Sequence, residues 1–176
     1  RYDDRTLGAE FTAVRAVSGG GWNHELTYGF EYAWTRLEEM RNGEQTNLAT
    51  GATTKTILGE TFPLRDFPTS DVTDAGLFAQ DEIRTDEGRW SVIPALRLNY
   101  YDLSTRPDSL YREDNPNVPV VGLNDVSLSP KLGLTWQAST SLTGFFQYSN
   151  GFRAPPPEDV NIGLELPLFN VRAVPN

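Results

Sequence analysis

The sequence predicts an all-β fold, an antiparallel transmembrane β-barrel of which this chain supplies about six strands. Three observations support this prediction. Segments that alternate between apolar and polar residues recur along the chain, the connections between them alternate between short and long, and aromatic residues stand at the ends of the apolar faces. Short turns on one side, long loops on the other and an aromatic belt at each interface are typical of outer-membrane barrels.

Composition and charge narrow the function classes. The chain has 176 residues, a formal net charge of −9 and no cysteine. A disulfide framework and a thiolate metal site are therefore excluded, and nucleic acid is not expected as a partner, because phosphate backbones are bound by clustered lysine and arginine. No apolar run reaches about 18 residues, so no transmembrane helix is predicted, whereas barrel strands are compatible with a mean hydropathy of −0.45.

The first predicted hairpin contains the clearest strand. Residues 7–17 alternate imperfectly, residues 18–21 form a glycine turn, and residues 22–36 place aromatic and apolar side chains at even positions. Trp22 and Trp34 bound this aromatic face, which at ~3.3 Å per residue and a tilt of ~45° spans roughly 28 Å along a membrane normal. We expect Tyr28, Phe30 and Tyr32 to face lipid. The alternate residues Thr27, Gly29 and Glu31 are expected to face the lumen.

The remaining strands are predicted at residues 72–85, 90–100, 126–136 and 142–150. Trp90 and Tyr100 close the two ends of the second of these, so they join Trp22 and Trp34 as a predicted membrane girdle. Pro94 lacks a backbone donor and predicts a bulge or a local break. Residues 37–71 and 104–125 show no sustained period and are predicted to be long outer loops. Because the last strand starts from a short turn, its end at residue 150 is expected on the same side of the barrel as these loops.

The last strand leads into Gly151-Phe152-Arg153-Ala154-Pro155, followed by Pro156 and Pro157. This segment resembles the FRAP box of TonB-dependent outer-membrane receptors, in particular of the haem/haemoglobin receptor branch. Val174-Pro175-Asn176 resembles the opening of the Asn-Pro-Asn-Leu element that follows the box in that branch. Residues 76–82, 93–97 and 129–134 are also similar to stretches common in these barrels.

The resemblance implies active uptake of haem, free or taken from haemoglobin, through the outer membrane of a Gram-negative bacterium. It implies a 22-stranded barrel with an N-terminal plug, energy supplied through TonB, haem as transported ligand with no covalently bound cofactor, and no enzyme activity. Residues 1–176 show neither a plug nor a TonB box, so we expect the whole chain to be one piece of the barrel domain. Two alternatives stay open: a ferric-siderophore receptor of the same family, and a soluble all-β binding domain of a secreted protein.

Candidate ligand-binding and partner-binding residues lie in and after the FRAP-like segment. They are Phe152, Arg153, Ala154, Pro155, Leu166, Leu168, Phe169 and Asn176. The segment itself is read in two ways with equal weight, as a ligand contact or as an anchor of the strand end. Leu164, Leu166, Leu168 and Phe169 form an apolar run on an outer loop, which indicates a partner-binding surface.

Candidate iron ligands are few. His24, the only histidine, lies close to a short turn and is interpreted as a girdle residue. Residues 156–173 contain neither histidine nor tyrosine, which favours the siderophore alternative. Tyr111 and Met40 are weaker candidates for haem contact. Adjacent acids such as Glu38 and Glu39 point to opposite faces of an extended chain, so they are interpreted as solvated loop charges and not as a catalytic pair.

Overall fold

The computed structural model describes residues 1–162 and the backbone of two short paired strands, Glu165–Leu166 and Val171–Arg172. Six long strands dominate the described part: β1 (Tyr2–Gly19), β2 (Trp22–Glu39), β3 (Thr69–Thr85), β4 (Trp90–Arg106), β5 (Leu123–Ser139) and β6 (Leu142–Ser149). Each strand pairs antiparallel with its neighbour in the chain, in one six-stranded sheet. The predicted all-β, antiparallel fold class is confirmed.

The connections alternate as the sequence predicts. Short turns join β1 to β2, β3 to β4 and β5 to β6, while residues 40–68 and 107–122 form the long loops. Gly20 and Gly21 have φ values of 64° and 86°, which glycine adopts without strain, so the predicted glycine turn is confirmed. In the β3–β4 ladder, residues 81–82 and the facing residues 93–94 are unpaired, and the register is the same on both sides of this gap. The predicted irregularity at Pro94 is therefore a local break and not a bulge.

The strands extend further toward the long loops than predicted. β1 begins at Tyr2, β2 reaches Glu39, β4 reaches Arg106 and β5 begins at Leu123, so the shorter predicted bounds are wrong at these ends. Residues 37–71 and 104–125 are also not structureless. The first loop holds two small hairpins, Gln45–Thr46 with Thr53–Thr54 and Thr56–Ile57 with Glu60–Thr61, and the second holds helix α1, Ser109–Asp114.

The strand register separates two faces of the sheet. Phe30 of β2 lies opposite Phe11 and Leu77, whereas its neighbour Glu31 lies opposite Glu10 and Gly76. We call the first the aromatic face and the second the polar face. The predicted division of residues 27–32 between two faces is confirmed, and lipid contact of the aromatic face stays a prediction.

The four girdle candidates all lie on the aromatic face. Trp22 and Trp90 lie near the short turns, where Trp90 stacks on Trp136 of β5 with ring centres 5.7 Å apart. Trp34 lies toward the long loops, and the hydroxyl of Tyr100 accepts a hydrogen bond of 3.0 Å from the Asn124 amide. Both ends of the face therefore carry aromatic residues, and membrane contact of these residues stays a prediction.

Buried apolar residues collect at one end of the polar face, where the long loops fold over it. Within residues 1–162 this cluster, which we call the rim cluster, contains Leu37, Phe67, Val72, Tyr101, Leu103 and Val160. None of the helices in the described part is long and apolar enough to cross a membrane. The loop end of the sheet thus carries a small core of its own.

Candidate functional site

The FRAP-like segment, residues 152–155, lies across the loop end of the polar face. After β6, the Asn150 amide donates to the Pro130 carbonyl over 3.0 Å, and the chain then leaves the ladder at three consecutive prolines. The side chains of Phe152 and Ala154 pack against the rim cluster. The Tyr101 hydroxyl donates to the Pro155 carbonyl over 3.4 Å. The segment is therefore held inward over the face and does not project from the strand end.

A recess of about 380 Å³ lies between this segment and the strand ends. Its apolar and aromatic lining comes from Tyr2, Leu37, Val72 and Tyr101, and its charged lining comes from Asp4, Arg153 and Glu158. Arg153 is exposed and forms no ion pair with another residue of the described part. The recess thus combines apolar and aromatic walls with one guanidinium, which can bind an anionic group, and two carboxylates.

Asn161 joins the outer loops near this recess. Its side-chain oxygen accepts from the Val121 amide and its side-chain nitrogen donates to the Val121 carbonyl, both over 2.8 Å. The Tyr111 hydroxyl donates to the Asn161 backbone carbonyl over 3.2 Å. Both side chains are fully buried, and burial raises the pKa of the Tyr111 phenol, which keeps it a donor.

A second set of contacts ties the first long loop to the second. Arg65 forms an ion pair of 2.9 Å with Asp108 and also donates to the Glu39 carbonyl. The Asp66 amide donates to a Glu39 carboxylate oxygen over 3.0 Å, and the Asn115 side chain donates to the Arg65 carbonyl over 3.0 Å. The three outer loops thus form one connected unit, which we call the loop platform, residues 40–68, 107–122 and 150–162.

The structure brings part of the predicted site together. Phe152 and Ala154 lie against the rim cluster, while Arg153 and Pro155 are exposed beside the recess. This packing is what the anchor interpretation of the segment expects. Leu166 lies in the short backbone strand paired with Val171, and Leu164, Leu168, Phe169 and Asn176 lie outside the described residues.

Sequence reasoning missed Tyr2, Tyr101 and Asn161. Tyr101 directly follows the predicted girdle residue Tyr100, and its position on the polar face beyond the predicted strand end was the one available signal. Asn161 carries no local signal, because its two partners in the second loop are 40 residues away.

The weaker ligand candidates His24 and Tyr111 do not line the recess, and both have hydrogen-bond partners within the protein. His24 lies on the aromatic face near the short turns, where its Nδ1 is 2.8 Å from an Asp81 carboxylate oxygen, at the opposite end of β2 from the rim cluster. Tyr111 is fully buried and its hydroxyl donates to the Asn161 carbonyl, and its suggested haem contact stays a prediction. Residues 1–162 hold no group of three or more His, Cys, Asp or Glu that could bind a metal ion.

The interpretation of Glu38 and Glu39 as solvated loop charges is half wrong. The two side chains do point to opposite faces, as expected for an extended chain. However, both belong to β2, and Glu39 is only 9 % exposed. Its carboxylate is hydrogen-bonded to the Asp66 amide, so it has a structural role at the strand end.

An antiparallel sheet with one aromatic face, one polar face, short turns and interlocked long loops defines the wall of an outer-membrane type of barrel. The family model for the TonB dependent receptor-like β-barrel matches residues 1–175, and the chain belongs to this family. No match is found among curated proteins. The family consists of outer-membrane receptors and transporters of Gram-negative bacteria, and it implies a transported ligand and interaction with TonB.

Proposed function

We propose that this receptor takes up haem, free or removed from haemoglobin, with the energy supplied through TonB. The observation that carries the proposal is the recess under the FRAP-like segment, where Tyr2 and Tyr101 lie beside the exposed Arg153. Haem combines a flat apolar macrocycle with carboxylates, so aromatic walls and a guanidinium are complementary to it. The recess lies at the loop end of the polar face, on the route from the outside to the lumen.

Residues 163–176 would supply the contact with haemoglobin. Their apolar residues Leu166, Leu168 and Phe169 follow directly after the loop platform in the sequence. A protein partner is bound mainly through a few apolar or aromatic anchors, so this run suits capture of a haemoprotein better than coordination of iron. Capture and haem entry would therefore use neighbouring but different residues.

The proposal is tested by replacing Leu166, Leu168 and Phe169 together by Ser in the complete receptor. Growth on haemoglobin iron should be lost, growth on free haem should persist, and the amount of receptor in the outer membrane should be unchanged. An Arg153→Gln variant should show a different pattern, with haem uptake from both sources reduced. Normal haemoglobin binding by the triple variant would contradict the capture role.

Ferric-siderophore uptake is the second candidate. It is favoured by the lack of histidine and tyrosine in residues 156–173, which leaves this loop without a side chain of the usual haem-ligating types. Uptake of radioactive iron from ferric siderophores and from haem separates the two functions. A receptor that supports growth on a siderophore and never on haem would replace the first proposal.

A further inference from the structure

We infer that the phenol oxygen of Tyr2 is a ligand to the iron of ferric haem when haem occupies the recess under the FRAP-like segment. This inference rests on the proposed function and deepens it, because the proposed function uses Tyr2 only as an aromatic wall. The iron ligand then belongs to β1, on the polar face of the sheet, and not to the loop that follows the FRAP-like segment.

Few side chains of this chain are of a type that holds haem iron. Proteins use histidine, cysteine, methionine and tyrosine for this purpose. The chain has no cysteine, its one histidine, His24, lies at the turn end of β2, and its one methionine, Met40, does not line the recess. Residues 156–173 hold neither histidine nor tyrosine. Among the described residues that line the recess, only Tyr2 and Tyr101 therefore carry a side chain of these types.

These tyrosines differ in whether their hydroxyl is available. Tyr101 is 3 % exposed, and its hydroxyl donates to the Pro155 carbonyl. Tyr2 is 56 % exposed, and its hydroxyl has no hydrogen-bond partner among the residues that the structure describes. The Tyr2 ring packs edge-on against Phe67 of the rim cluster, with ring centres 6.3 Å apart, so the ring is supported while the hydroxyl stays open. Tyr2 can therefore bind a ligand with its oxygen, whereas Tyr101 belongs to the wall.

The charges of the recess agree with this placement of the iron. The carboxylates of Glu158 and Asp4 lie close enough to the Tyr2 phenol to act on it electrostatically. Ferric haem is positive at its iron and negative at its own carboxylates. Glu158 and Asp4 are therefore complementary to the iron end of the molecule, and Arg153 is complementary to the carboxylate end. A recess that holds carboxylates and a guanidinium together suits a ligand with both charges.

Coordination exchanges a proton for the iron. A tyrosine phenol is ordinarily protonated at neutral pH, and a metal ion bound to such a group displaces the proton. The Tyr2 oxygen donates a lone pair to the ferric iron, the O–H bond breaks, and the proton leaves to water. No electron is transferred, so the iron stays ferric. Ferrous iron carries less positive charge and attracts an anionic oxygen less strongly, so the site favours the oxidised form of haem.

The test titrates haemin, the ferric form, into the complete receptor in detergent and records absorption and resonance Raman spectra, which identify a phenolate on ferric iron. Tyr2→Phe keeps the aromatic wall and removes the ligand, so the phenolate signature should disappear. Haemin should bind at least about tenfold more weakly, since loss of a group that only orients a metal ligand already costs about 10–100-fold in affinity. Tyr2→His should bind haemin more tightly than Tyr2→Phe and show the spectrum of an imidazole ligand, which a packing role would not produce.

The matched control is Tyr100→Phe, which removes a phenol hydroxyl near the same end of the sheet but on the aromatic face. It should leave the haemin spectrum and affinity unchanged. A phenolate signature that persists in Tyr2→Phe, or that is absent from the unaltered receptor with haemin bound, would overturn this inference and leave the proposed function standing. A receptor that binds no haemin and takes up iron from ferric siderophores would overturn both.

Discussion

The two ends of this sheet differ in what surrounds their side chains. At the loop end, Leu103 is 1 % exposed and Tyr111 is fully buried, because the loop platform covers the polar face. At the turn end no long loop folds over the sheet, and on the aromatic face there Trp22, Trp90 and Trp136 are 43 %, 42 % and 46 % exposed. The loop end therefore carries its own core, whereas the turn end depends on surroundings that the sheet itself does not provide.

The largest effect follows from this dependence. Residues 1–176 expressed alone should not form a monomeric, cooperatively melting protein in water, because the aromatic face and both sheet edges would be in contact with solvent. Calorimetry and analytical ultracentrifugation without detergent check this expectation. A single sharp transition of a monomer would show that the turn end needs no lipid and would revive the soluble alternative.

The next effect tests which face requires lipid. Tyr28→Arg on the aromatic face should lower the free energy of unfolding of the complete receptor by ~2–4 kcal/mol, because it places a charge at mid-depth in the bilayer. Thr27→Arg on the polar face is the matched control and should cost far less. Denaturant titration in lipid vesicles measures both values. Equal costs would show that the two faces are assigned wrongly.

A third substitution should act at the loop end alone. Asn161→Ala removes two partly buried hydrogen bonds to the Val121 backbone, at about 0.5–1.5 kcal/mol each. Hydrogen exchange should become faster in the loop platform while the strands keep their protection. Faster exchange at the short turns as well would mean that the two ends are not independent.

The smallest effect compares two glycines on the polar face. A Cβ at position 29 would lie 2.0 Å from the Phe11 carbonyl oxygen, whereas a Cβ at position 76 would meet only the Arg97 side chain, 2.5 Å from its guanidinium. Backbone cannot move aside as a flexible side chain can, so Gly29→Ala should cost about 1–2 kcal/mol and Gly76→Ala less. Unfolding titrations in lipid distinguish them, and the reverse order would contradict the strand spacing.

The strands could be predicted from the sequence where one face of the sheet is apolar and the other is polar. Alternation in residues 22–36 identified β2 and its faces, because one side is aromatic and the other is polar. The pattern reverses beyond Trp34 and Tyr100. Leu37, Tyr101 and Leu103 are apolar residues on the polar face, while Arg36 and Asp102 are charged residues on the aromatic face. The strand ends at Glu39 and Arg106 are held by ladder pairing with Tyr2 and Thr69, which no local pattern reveals.

The candidate site was predicted only in part, for a similar reason. Phe152 and Arg153 stand in a recognisable motif, so their place at the rim could be inferred from the sequence. The other wall of the recess consists of Tyr2 and Tyr101, which are about 100 residues apart in the chain and meet through the sheet. The burial of Glu39 likewise depends on Arg65 and Asp66, which come from a loop without a regular pattern.

The paired hydrogen bonds between Asn161 and Val121 bear on how this receptor can diversify. The Asn161 side-chain amide accepts from the Val121 N–H and donates to the Val121 carbonyl, as the backbone of a neighbouring strand would. The contact therefore requires asparagine at position 161 and no particular side chain at position 121. Residues near Leu48, at the fully exposed tip of the first loop, take no part in it. The tip of the first loop can therefore change in sequence and length while the contact between the second and third outer loops keeps its shape.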